Sequence, residues 1–220
     1  MVATDEDASV PPEAAAVATR YKRLERPISG VLALLIGAAV VLAVTNLQLV
    51  VGLGVAVGLL VAFRLPIFKS KGTAVLETDG DVESVQREFT SATPPVLPFQ
   101  WGIADSVDWN GDDVMYDISY LFGLRSASMA VDIASGEKSD DKGVSPIELR
   151  IQAEGKPWAT YKVSIHEQDG MTRVAIEWTS DRRFGLRRLP QRLIAERYHA
   201  DALSAQGYTT IERTRYSSIW

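Results

Sequence analysis

Two hydrophobic periods divide this chain. Residues 27–63 contain no Asp, Glu, Lys, Arg or His, a run far longer than the roughly 10 to 14 apolar residues of a buried core helix. Its one polar cluster, Thr45, Asn46 and Gln48, splits it into 28–45 and 47–63. At about 1.5 Å per residue each arm just crosses a ~30 Å hydrocarbon core, so the pattern predicts a transmembrane helical hairpin over 27–64. Small residues recur every fourth position at Ala33 and Gly37 on the first arm and at Gly54 and Gly58 on the second. That spacing lets helix backbones approach closely, either arm against arm or between copies in a homo-oligomer. Arg20, Lys22, Arg23 and Arg26 precede the hairpin, Arg64, Lys69 and Lys71 follow it, and the turn is uncharged. The excess of positive charge on one side predicts a two-helix, multi-pass protein of the cell membrane with both termini cytoplasmic. The 26 residues before the first apolar run are too long and too acidic for a cleaved leader, and a second apolar run follows at once.

Beyond a basic linker at 65–71, residues 72–220 read as one cytoplasmic α+β domain. Residues 73–78 make a strand, and Asp79, Gly80 and Asp81 turn the chain. Asp81 is placed to cap a helix with Val82, Val85 and Phe89 on one face, which Pro94 and Pro95 stop. The apolar, proline-rich stretch 94–101 is expected to plug the sheet or line a pocket mouth. Five alternating segments then follow, around Val114–Phe122, 126–133, 147–154, 161–166 and 173–179. Short turns between them and one apolar face indicate an antiparallel meander. One apolar face needs a cover, and the helix expected at 190–206 is the candidate. Pro190 sits in its first turn, Gly207 lies just past its end, and Leu189, Leu193, Ala200 and Leu203 share a side. A last strand, 208–216, is expected beside the first.

Over about 73–207 this order of strand, helix, meander and long helix resembles the helix-grip, START-like fold, in which a curved antiparallel sheet wraps a long C-terminal helix. The strand after the long helix departs from that pattern, as does the lack of a second short helix after the first. A PH-like domain is the alternative architecture. The resemblance implies a central space between sheet and helix, where such folds hold an apolar ligand. Tyr116, Tyr120, Phe122, Tyr161 and Trp178 are the candidate lining residues, or else fill the space completely. The chain also resembles membrane proteins of haloarchaea in composition: Arg outnumbers Lys 16 to 7 and the formal net charge is −5.

Chemistry-bearing motifs are sparse. The absence of cysteine excludes disulfides and thiol chemistry, and two histidines, His166 and His199, are too few for most His-rich metal sites. No metal and no cofactor are expected. Residues 108–113 echo the start of a calcium loop, but Gly111 stands two positions early, and Asn110-Gly111 reads as a hairpin turn. The segment 182–192 carries five Arg with Phe184 and two Leu between them. Arg182, Arg183, Arg187 and Arg188 are the candidates for contact with anionic lipid headgroups, against the alternative of ion pairs with an acidic sheet. Nucleic acid is disfavoured by net charge and by the lack of a binding module. The leading expectation is a membrane-anchored, non-catalytic domain that binds an apolar ligand, a lipid or a partner protein. A scaffold with a solid core is the alternative, and an enzyme using a START-like cavity comes third.

Overall fold

The computed structural model describes residues 12–110, 113–120, 125–135, 146–186 and 189–218. Its N-terminal part is a helical hairpin, α1 (Pro12–Asn46) and α2 (Leu49–Arg64), broken at Leu47 and Gln48. The break comes where Thr45 Oγ1 and Asn46 Nδ2 donate back to the carbonyls of Val41 and Leu42 at 2.9 and 3.0 Å, occupying the orphan acceptors of the helix end. Helix α1 begins well before the apolar run, so residues 12–26 are helical, and Ala14, Ala18 and Tyr21 are buried.

The hairpin departs from expectation in two respects. Among the described residues no helix is long and apolar enough to cross a membrane; the 16 residues of α2 extend only about 24 Å. Nor do the arms meet through the predicted small residues. Ala33 is exposed, and a Cβ added at Gly37, Gly54 or Gly58 would touch nothing among the described residues. The contact runs through Gly52, whose added Cβ would stand 2.6 Å from the carbonyl oxygen of Ala43, with Ala56 buried one turn on. The four-residue spacing is present one notch away in phase, because Gly52 and Ala56 form the face that turns inward. Gly52→Leu is therefore expected to open the hairpin, whereas Gly54→Leu with Gly58→Leu leaves it closed. Limited proteolysis at 47–48 in detergent separates the two variants, and equal cleavage would contradict this packing.

Among the described residues the rest is built on one eight-stranded antiparallel sheet in the order β2-β3-β4-β5-β6-β7-β1-β8. Its strands are β1 (Lys69–Thr78), β2 (Ser106–Trp109), β3 (Asp113–Tyr120), β4 (Arg125–Ser135), β5 (Ile147–Ala153), β6 (Lys156–Gln168), β7 (Met171–Ser180) and β8 (Thr209–Ser218). The five alternating segments are β3 to β7, and the last strand does lie against the first. The hairpins β5–β6 and β6–β7 turn on Glu154-Gly155 and Asp169-Gly170, all four residues having positive φ. That is the turn whose twist matches the strands. Strand β2 was not foreseen; Asn110 turns it into β3, its Oδ1 accepting from the backbone N–H of Asp113 at 2.8 Å.

Register aligns the inner face in rows. One row runs Leu149, Tyr161, Trp178, Gly72, Arg215 across β5, β6, β7, β1 and β8; the next runs Ile147, Val163, Ile176, Ala74, Arg213. Helix α3 (Val82–Phe89), capped by the Asp81 carboxylate on the Ser84 N–H, buries Val85 and Phe89 over one end of this face. The segment 94–101 plugs the same end, with Val96, Leu97 and Trp101 buried and the Trp101 indole N–H donating to the Pro94 carbonyl at 2.9 Å. It finishes in a short helix, α4 (Pro98–Trp101). Helix α5 (Leu189–Ser204) covers the face, and α1 packs on α5 and α4 as a further layer.

The inward side of α5 differs from the expected one. Leu193 is 67% exposed and Ala200 is also outside, while Ala202 and Leu203 are buried and Ala195 and His199 face the sheet. Apolar content misleads here because the space beneath α5 is partly polar. His199 takes an inward position that a periodicity count assigns to a hydrophobic residue.

Candidate functional site

The sheet and its cover do not close completely. A cavity of about 400 Å³ lies between them, walled by Ile118, Met129, Trp158, Tyr161 and Trp178 of the sheet and by Ala195 of α5. Tyr21 of α1 and Phe99 of α4 complete the wall; their rings stand 4.7 Å apart, and Phe99 meets the His199 imidazole edge-on at 6.1 Å. At the foot of the cavity, Arg182, Arg183 and Phe184 also line a wide cleft of about 840 Å³ against the base of the hairpin, with Arg64 and Lys69. That base is tied down by backbone hydrogen bonds between Phe68 and Phe184 in both directions, at 3.0 and 2.8 Å, and by stacking of their rings.

Adjoining the larger cavity is a small one of about 60 Å³, which shares Tyr161, Trp178 and Arg215 with it. His199 and Leu203 come from α5, and Thr210, Arg213 and Arg215 from β8. The guanidinium groups of Arg213 and Arg215 lie 5.5 and 5.7 Å from the Trp178 ring centre, within cation–π range. The indole in turn rests on Gly72, where an added Cβ would stand 2.3 Å from Trp178 Cζ2. Arg215 Nη1 pairs with Glu196 at 3.2 Å.

Electrostatics follow from this crowding of positive charge beneath a helix. Burial first, then Arg213 and Arg215, push the His199 imidazole down from 6.5 to about 3, so it is neutral at physiological pH. Burial, then the neighbouring Arg215, also lowers the Arg213 guanidinium, with Glu196 acting the other way. Burial raises the Tyr161 hydroxyl against the pull of both arginines. Among the described residues no three His, Asp or Glu are grouped to hold a metal ion.

The residues singled out from sequence are distributed unevenly over this site. Tyr161 and Trp178 line both cavities. Tyr116 does not line them: it is fully buried and its hydroxyl donates to the Ala92 carbonyl at 2.8 Å, just ahead of the proline-rich segment. The Tyr120 side chain, Phe122, Arg187 and Arg188 lie outside the described residues. Arg182 and Arg183 come to the foot of the cavity, Arg182 over the Trp158 ring at 5.7 Å. The polar group formed by His199, Thr210, Arg213 and Arg215 escaped sequence reasoning. A bulge opposite Val75 and Leu76 shifts the alternation of β8, so that Thr210 faces inward with Arg213 and Arg215 while Ile211 is 53% exposed. The one signal available was the two-residue spacing of Arg213 and Arg215, which places both on one face of a strand.

No protein-family model matches the chain, and no curated protein does. Solved structures similar to it include a START superfamily protein from Mycobacterium smegmatis, 12% identical over 63% of this chain and 97% of that one, at a TM-score of 0.41. A conserved protein from Geobacillus kaustophilus is 12% identical over 64% and 98%, at 0.40. A protein from Rhizobium loti is 16% identical over 63% and 96%, at 0.42.

Proposed function

We propose that this protein is a non-catalytic binding domain that holds an apolar ligand in the cavity between its sheet and α5, next to a hairpin that inserts into the lipid bilayer. The observation that carries the ligand is the cavity of about 400 Å³ itself. It lies within the roughly 300–1,000 Å³ of small-molecule sites and is lined mainly by aromatic and aliphatic side chains with a few polar groups. Insertion is supported by the hairpin's surface. Leu34, Leu35, Leu42, Val50 and Leu60 are among many large apolar side chains more than half exposed, a patch far beyond what water-facing surfaces carry. Short apolar arms are accommodated by local thinning of the bilayer. The basic cleft of Arg64, Lys69, Arg182 and Arg183 then faces headgroups, the cytoplasmic ones by the positive-inside rule. A ligand reaching the cavity from the membrane would pass this foot.

Native mass spectrometry of the full chain, purified from cells in a mild detergent, tests the reading. The expected result is a retained small molecule of lipid size, and Ala195→Trp, which fills the cavity from α5, is expected to remove at least nine-tenths of it. A bare protein mass, or a retained mass indifferent to Ala195→Trp, would favour the scaffold with a closed core.

A further inference from the structure

The small cavity carries an unusual set of orphaned polar atoms. Nε of Arg213, Nε of Arg215, Nδ1 of His199 and the hydroxyl of Thr210 are all buried, and none has a hydrogen-bond partner among the described residues. All four residues line the same 60 Å³ space. Buried groups of this kind are nearly always satisfied, and leaving one unsatisfied costs its full desolvation. Four around one small space therefore mark a place where something polar binds.

Charge says what that is. Arg213 and Arg215 contribute two positive charges, Glu196 offsets one, and His199 is neutral, so the described residues around the space sum to +1. An anion of unit charge balances the site. Geometry narrows it further. Arg215 engages Glu196 through Nη1, which leaves its Nε edge, and Arg213 has no ion-pair partner among the described residues. The Nε edge of a guanidinium is a planar fork that matches the two oxygens of a carboxylate. Stacking on Trp178 holds both forks in place. The space holds only a few water molecules' volume, enough for a carboxylate but not for a glycerophosphate headgroup.

We infer that Arg213, Arg215 and Thr210 form a carboxylate subsite at the end of the apolar cavity, so that the ligand is a single-chain amphiphilic acid such as a fatty acid. This rests on the ligand-binding reading above. The acyl chain occupies the larger cavity, and its head reaches past Tyr161, Trp178 and Arg215, which line both cavities, into the small one where Arg213 and Thr210 stand.

Calorimetric titration of the full chain in phosphatidylcholine nanodiscs with octanoate and with 1-octanol, near neutral pH and corrected for empty discs, tests it. The expected result is octanoate bound at least tenfold more tightly than octanol, with Arg213→Gln reducing octanoate to the octanol level. Thr210→Val, which leaves both charges in place, is expected to weaken octanoate about threefold and serves if Arg213→Gln does not fold. Equal binding of the two probes overturns the subsite and leaves the apolar cavity standing. Tighter octanoate binding that survives both substitutions also overturns it, and shifts attention to the basic foot. Binding of neither probe overturns the subsite and the ligand-binding reading together.

Discussion

Gly72→Val is expected to destabilise the domain by more than about 3 kcal/mol, or to prevent folding outright, and to abolish ligand retention with it. Gly72 stands in β1 between β7 and β8, opposite Trp178 on one side and Arg215 on the other. An added Cβ would lie 2.3 Å from Trp178 Cζ2 and 2.4 Å from the carbonyl oxygen of Thr214. The first clash could be relieved only by moving a buried indole that carries two stacked guanidinium groups. The second involves backbone of the β1–β8 pairing, and relieving it separates the strands. Gly80→Ala is the matched control, since its Cβ would find ordinary contact, 3.5 Å from Val85 Cγ2. Urea denaturation of the full chain in detergent checks both, and a Gly72→Val midpoint equal to that of Gly80→Ala would refute the packing described.

The second large effect is acid sensitivity centred on His199. Its folded pKa is depressed, about 3 against 6.5, so the unfolded chain binds the proton more readily. The stabilisation is complete above about pH 6.5 and is lost progressively as pH falls toward 3. By pH 5 the loss amounts to about 2 kcal/mol. The groups that face the imidazole deepen the penalty: Arg213 and Arg215 from β8 repel its charged form. Tyr161 from β6 and Phe99 from α4 add bulk without negative charge, and Glu196 on α5 is engaged with Arg215. Asp81, whose carboxyl is lowered by its hydrogen bonds to Ser84, also favours the folded chain, but its contribution disappears only within the carboxylate range at lower pH. Denaturation midpoints measured between pH 7 and 5 should therefore fall for the natural chain and stay nearly level for His199→Gln. A natural chain with a flat profile would show that the imidazole is not held neutral by its surroundings.

Much of the frame was legible because it obeys local rules. Strict alternation in β3 to β7 reports a sheet with one wet face. The Asp81 cap reports the start of α3, although the helix ends at Phe89, ahead of the double proline expected to stop it, and the charge-free run reports two helices with a break near Asn46. These signals depend only on neighbours along the chain.

What escaped depends on neighbours across it. The phase of the hairpin contact, Gly52 and Ala56 instead of Gly54 and Gly58, is set by how two cylinders roll against each other, and either phase contains small residues at the right interval. The early start of α1 is set by docking of Ala14, Ala18 and Tyr21 on a domain far along the chain. The inward face of α5 and the polar end of the cavity could not be read from hydrophobic periodicity, because there the inward positions hold His199, Thr210, Arg213 and Arg215. A single bulge, invisible in the sequence, decides that Thr210 and the two arginines share a face. By itself the sequence determined the hairpin, the helix after Asp81, the five-strand meander β3 to β7, the covering helix and the first and last strands, in order, since period and capping are properties of contiguous residues; β2 and α4, each only four residues long, carry too little of either signal. Only the tertiary structure decided where that sheet fails to close and which charges meet in the gap, since register, bulges and helix roll bring together residues far apart in the chain, as with Gly72 and Arg215.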